Sequence, residues 1–129
     1  MENQKINLTE AEWNVMECLW ENHPKTGREI VDSLSLQMGW SRSTTLTLLR
    51  RLEEKKAVGS ETMGSMKRFH PLITRESAAL QETKEFLQRV YKGSLGMMVS
   101  AFTKKESLTK KEIDELYAIL GELEVKQDD

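Results

Sequence analysis

Residues 40–71 read WSRSTTLTLLRRLEEKKAVGSETMGSMKRFHP, and the choice of fold turns on them. On a helical wheel Thr45, Leu48, Leu49 and Leu52 share one side, the spacing of a stripe that faces a core. Ser43, Thr47 and Arg50 lie opposite, flanked by Thr44 and Arg51. Short hydroxyl side chains let a helix approach base edges closely, while arginines reach guanine or phosphate. Ser41 stands where an N-cap is needed. After Lys55-Lys56, residues 58–62, a Met-Gly-Ser turn and Lys67-Arg68-Phe69-His70 predict a basic two-stranded hairpin. A helix followed by a basic hairpin is the layout of a winged helix-turn-helix. The competing reading is an ordinary surface helix whose polar side is merely solvated.

Upstream, Thr9 and Glu12 have the spacing of a capping box, as do Thr26 and Glu29. The first predicts a helix to about Asn22, with Trp13, Met16 and Trp20 on one side and Val15 and Leu19 on another. The second predicts a short helix presenting Ile30, Val31 and Leu34 inward, closed by a turn at Gly39-Trp40. Residues 1–73 thus form a winged-helix domain, mainly α with a small β-hairpin wing.

Pro71-Leu72-Ile73-Thr74 marks a boundary, and residues 74–129 read as a helical arm. A long helix is expected from about Arg75 to Val99, carrying Leu87, Val90, Tyr91, Leu95 and Met98, with Gly93 and Gly96 as weak points. A second, opened by a Thr109/Glu112 capping box, carries Ile113, Leu116, Leu120 and Leu123. Two such stripes exceed what the arm buries by itself, which predicts a homodimer presenting two recognition helices to a DNA dyad. Packing of the arm on the winged domain is the alternative.

The net charge of −2 argues at first against a nucleic-acid partner. The distribution of charge argues the other way. Residues 1–41 hold three Lys/Arg against seven Asp/Glu, whereas residues 42–68 hold seven Lys/Arg against three Glu. Phosphate attraction depends on the local field, so the basic segment suffices, with Arg50, Arg51, Lys55, Lys67 and Arg68 as phosphate contacts.

The segments LTEAEWNVMECLW, GWSRSTTLTLLRRLEEKKAV, FLQRVYKGSLGMMVSAF and KKEIDELYAIL together span nearly the whole chain. In them the chain resembles the BlaI/MecI family of penicillinase repressors and their copper-responsive CopY relatives. The resemblance implies a homodimeric transcriptional repressor on palindromic operators with TACA and TGTA half-sites. It places Arg42, Ser43 and Thr44 in the major groove with Thr47 beside them, and Arg51, Lys67 and Arg68 on phosphates. Ser43 and Leu46 depart from the longer polar or basic side chains common in relatives. Phe102 would belong to the dimerisation arm. Antibiotic-responsive members are cut by a sensor protease between Asn and Phe; the matching dipeptide here, Ala101-Phe102, keeps only the Phe. Copper-responsive members carry paired Cys-x-Cys motifs, which the tail GELEVKQDD lacks.

Other chemistry finds no footing. Cys18 is the single cysteine and reads as core filler, which points to no disulfide framework. His23 and His70 have no ligand partners at metal spacing, and Met16, Met98, Met63 and Met66 are expected to pack. No nucleophile motif or phosphate loop occurs, so neither an enzyme nor a bound cofactor is expected. Without a signal peptide or an apolar run long enough to span a bilayer, the expected location is the cytoplasm, with no membrane partner. A winged-helix adaptor that binds protein rather than DNA is the rival function.

Overall fold

A computed structural model of the chain describes residues 5–105 and 108–127. The first four residues, where a signal peptide would carry its basic start, and the acidic Asp128-Asp129 end lie outside the described residues. The elements run α1 (Glu10–Glu21), β1 (Lys25–Thr26), α2 (Gly27–Met38), α3 (Arg42–Glu54), β2 (Val58–Met63), β3 (Met66–Pro71), α4 (Arg75–Tyr91), α5 (Leu95–Lys105) and α6 (Lys110–Gln127). They divide into two compact units, one up to Leu80 and one from Gln81.

The first unit is a winged helix-turn-helix. Both of its capping boxes form: Thr9 and Glu12 exchange bonds of 2.8 and 3.1 Å, as do Thr26 and Glu29. The core gathers Val15, Met16 and Leu19 from α1, Ile30 and Leu34 from α2, and Leu48, Leu49 and Leu52 from α3. Cys18 is buried among them. Phe69 closes the bottom from β3. Trp13 and Trp20 are only half-buried and meet edge to face at 5.1 Å, while the Trp20 indole N–H donates to the Ile73 carbonyl.

Sequence periodicity predicts a two-stranded wing, and the sheet has three strands in the order β1-β3-β2, all antiparallel. The two-residue β1 pairs Lys25 with Phe69 and Thr26 with Arg68. Such a strand is too short to show alternation and exists only because β3 is there to pair with it. At Gly59 the absence of a side chain matters: a Cβ there would stand 3.0 Å from the His70 ring and 3.1 Å from Leu72.

Beyond Leu80 the expected single helix to Val99 is two. Lys92 and Gly93 take positive φ (55° and 85°), and the Gly93 N–H donates to the Leu87 carbonyl, which ends α4. Ser94 then caps α5 by accepting from the Met97 N–H at 3.1 Å. A cap residue directly after a left-handed glycine is a stop and a new start, which is stronger than the bend that glycine alone suggests. The Thr109/Glu112 box opens α6 as expected. Among the described residues no helix is long and apolar enough to cross a membrane.

Candidate nucleic-acid interface

Helix α3 presents the two faces its sequence predicts. Thr45, Leu48, Leu49 and Leu52 are buried; Arg42, Ser43, Thr44, Arg50 and Arg51 are exposed, and Thr47 is half-buried. Ser41 caps the helix by accepting from the Thr44 N–H at 3.2 Å, and its own hydroxyl donates to Thr44 Oγ1 at 3.1 Å. That second bond, which sequence alone does not show, ties the Thr44 hydroxyl to the cap. Among the described residues Arg42, Arg50 and Arg51 make no ion pair, so no carboxylate there neutralises their charge.

The opposite end of α3 is anchored. Lys56 adopts a left-handed φ of 67°, the Ala57 N–H donates to Leu52 and the Lys56 N–H to Glu53, which turns the chain into β2. Lys55, expected on a phosphate, is used differently: its Nζ lies 2.6 Å from Glu12 Oε1 and 2.6 Å from the Asn7 carbonyl. Glu12 is 1% exposed. Burial opposes its charged form, but the Lys55 hydrogen bond, the Thr9 N–H and the Lys55 charge together hold its carboxyl below the usual carboxylate range. Lys55 therefore ties α3 to α1. A lysine near an acidic residue 43 positions earlier in the chain is invisible to local pattern.

In the wing, Lys67 is exposed but partly committed, 3.6 Å from Glu53 and 5.2 Å from the Phe69 ring centre. Arg68 is exposed and close enough to Glu29 to help lower that carboxyl, whose main cause is the Thr26 N–H. Met63 and Met66 do not pack as expected; both are exposed at the tip. The first turn of α4 is held by Arg75, which donates to both Glu17 carboxylate oxygens at 2.9 Å and lies 5.8 Å from the Trp13 ring centre. These bonds pull the Glu17 carboxyl down and push the Arg75 guanidinium up. Among the described residues no group of three or more His, Cys, Asp and Glu is placed to hold a metal ion.

In the second unit, Val90, Leu95, Phe102, Ile113, Leu116, Leu120 and Leu123 are exposed, while Leu87, Tyr91 and Met98 are half-buried. Tyr91 meets Phe86 edge to face at 6.0 Å. Ala101 and Phe102 are exposed within α5, in helical backbone.

The family model described as penicillinase repressor matches residues 8–122. The methicillin resistance regulatory protein MecI of Staphylococcus aureus (strain N315) is 30% identical over 121 residues, 94% of this chain and 98% of its own. A penicillinase repressor of Bacillus licheniformis is 33% identical over 115 residues, 89% of this chain and 90% of its own. Among solved structures, the DNA-binding domain of the repressor BlaI superposes with a TM-score of 0.52 at 27% identity, covering 57% of this chain and 90% of that one. The monomeric form of Bacillus licheniformis BlaI, in complex with the blaP half-operator, gives a TM-score of 0.51 at 30% identity, over 56% of this chain and 89% of that one.

Proposed function

The chain belongs to the penicillinase repressor family, and on that premise we propose that it is a DNA-binding transcriptional repressor that acts as a homodimer on a symmetric operator. The observation that carries this reading is the outer face of α3, where hydroxyls at Ser43 and Thr44 stand among arginines that no carboxylate among the described residues neutralises. Arg42, Ser43 and Thr44, with Thr47 beside them, read base edges in the major groove. Arg50, Arg51 and Arg68 hold phosphates, with Lys67 as a weaker contact because Glu53 shares its charge. Lys55 acts indirectly, by fixing α3 on α1.

Two chains join through the apolar side chains that α4, α5 and α6 leave in solvent. A set of that size is costly on a lone chain and typical of a self-complementary face. A sensor protease acting at Ala101-Phe102 would relieve repression by cutting within this arm, after local unwinding of α5. An adaptor function without DNA gains no support from a relative bound to a half-operator.

A gel shift with a duplex carrying a TACA/TGTA dyad, at two salt concentrations, tests the reading together with sedimentation of the protein. The expected outcome is a dimer whose affinity falls steeply with salt and exceeds that for scrambled DNA. A monomer that ignores the dyad at low salt would refute it.

A further inference from the structure

Met63 and Met66 face each other across the end of the wing, joined by the two-residue turn Gly64-Ser65, with Gly64 at a φ of 65°. They are 62% and 48% exposed, although methionine ordinarily fills gaps in a core. Burial along the hairpin explains the difference. Val58 and Phe69 anchor its base, whereas the three outermost pairs, Glu61 with Arg68, Thr62 with Lys67 and Met63 with Met66, are all exposed. The tip therefore stands free of the core by three residues, about 10 Å of strand.

We propose that Met63 and Met66 form an apolar probe for the minor groove of duplex DNA, beside the segment that α3 reads, and that they sense its A·T or G·C content. This rests on the DNA-binding reading above and extends it to side chains that reading does not use. Size selects the groove and the depth of entry. A minor groove is about 6 Å wide and 7.5 Å deep. Two strands about 4.8 Å apart, with their side chains, are too broad to enter, so the backbone stays at the mouth and the unbranched thioether chains reach in. Residues directly opposite on adjacent strands point to one face, and that face repeats every second residue. Arg68 therefore shares the face of Met66, as does Glu61 directly opposite it, and the Arg68 cation offsets that carboxylate and meets the phosphates that border the groove. Lys67, one residue from the tip, ties the hairpin to Glu53 in the last turn of α3. Apolar side chains, methionine among them, are a recurrent means by which proteins press on the minor-groove face of base steps.

The test titrates the full chain, by fluorescence anisotropy, against a TACA/TGTA dyad whose outer flanks are G·C pairs. The parent is compared with Met63→Ser/Met66→Ser and with Met63→Leu/Met66→Leu. The serine pair is expected to bind about tenfold more weakly at an unchanged salt slope, since it removes apolar contact and no phosphate contact. The leucine pair should stay within about threefold of the parent, because volume and apolarity persist. Inosine in place of guanine in the flanks removes only the minor-groove amine, so it should tighten binding of the parent and not of the serine pair. Equal affinity for parent and serine pair overturns the proposal. So does a loss that comes with a shallower salt slope, or with a change in sedimentation that assigns the tip to a second copy of the chain. If the parent itself ignores the dyad, the DNA-binding reading fails and the wing-tip role falls with it.

Discussion

Thr44 and Thr45 are neighbours with opposite duties. Thr44 is exposed, with its oxygen held by Ser41, and Thr44→Ala should erode discrimination between operator and scrambled DNA by about 1 kcal/mol, read from paired titrations. If Arg51 holds a phosphate as proposed, Arg51→Ala should weaken binding to both duplexes alike and lower the salt slope by about one, because a phosphate contact carries no sequence information. Thr45 is fully buried, and its hydroxyl has no hydrogen-bond partner among the described residues. An unsatisfied buried hydroxyl is a cost that valine, of the same shape, avoids. Thr45→Val should therefore raise stability by about 1 kcal/mol in urea unfolding, with operator affinity unchanged. A drop in stability would mean that the hydroxyl is satisfied in solution.

Between elements, the tie from Lys55 to Glu12 holds α3 against α1. Lys55→Ala leaves a carboxylate buried with only its cap, and should cost about 2 kcal/mol at neutral pH, less than a fully buried pair because Lys55 is partly solvated. The pH dependence has a definite sign. The folded-state pKa of Glu12 lies below its ordinary value of 4.5, so the tie contributes fully above that pH. Its contribution is lost as pH falls through the lowered value, and the stability gap between parent and Lys55→Ala should narrow on acidification. A gap that stays constant from neutral to acid pH would show that packing, rather than charge, makes the tie. The break between α4 and α5 is a second element-scale feature. Gly93 has a φ of 85°, and a Cβ there would stand 3.1 Å from the Gln88 side chain. Gly93→Ala should destabilise the protein by about 1 kcal/mol, seen as a lower melting midpoint.

For the whole molecule, association and recognition are coupled if the arm joins two chains. Leu116→Glu/Leu120→Glu places charge on the exposed apolar side of α6 while leaving the winged unit untouched. It should shift sedimentation to the monomer and weaken binding to a full dyad by at least about tenfold, while a single half-site is bound as before. Equal loss on dyad and half-site would point instead to damage reaching the winged unit. The overall negative charge belongs to this scale too. Against it, the cation excess of residues 42–68 sets the face of α3 and the wing apart, which favours a single docking orientation on phosphate.

Sequence alone was enough for whatever depends on near neighbours. The Thr9, Thr26 and Thr109 capping boxes, the buried stripe of α3 and its exposed hydroxyl face all follow from spacings of three and four residues, because a helix brings those positions together without help. The family resemblance was legible for the same reason, since it lay in contiguous segments. Tertiary structure decided the rest. The strand at Lys25-Thr26 needs β3 as a template, Lys55 turns inward because Glu12 is folded beneath it, and the wing tip carries Met63 and Met66 out of reach of the core. In each case the deciding partner, or its absence, lies tens of residues away, and the energy of burial or pairing is set only once the chain has closed that distance.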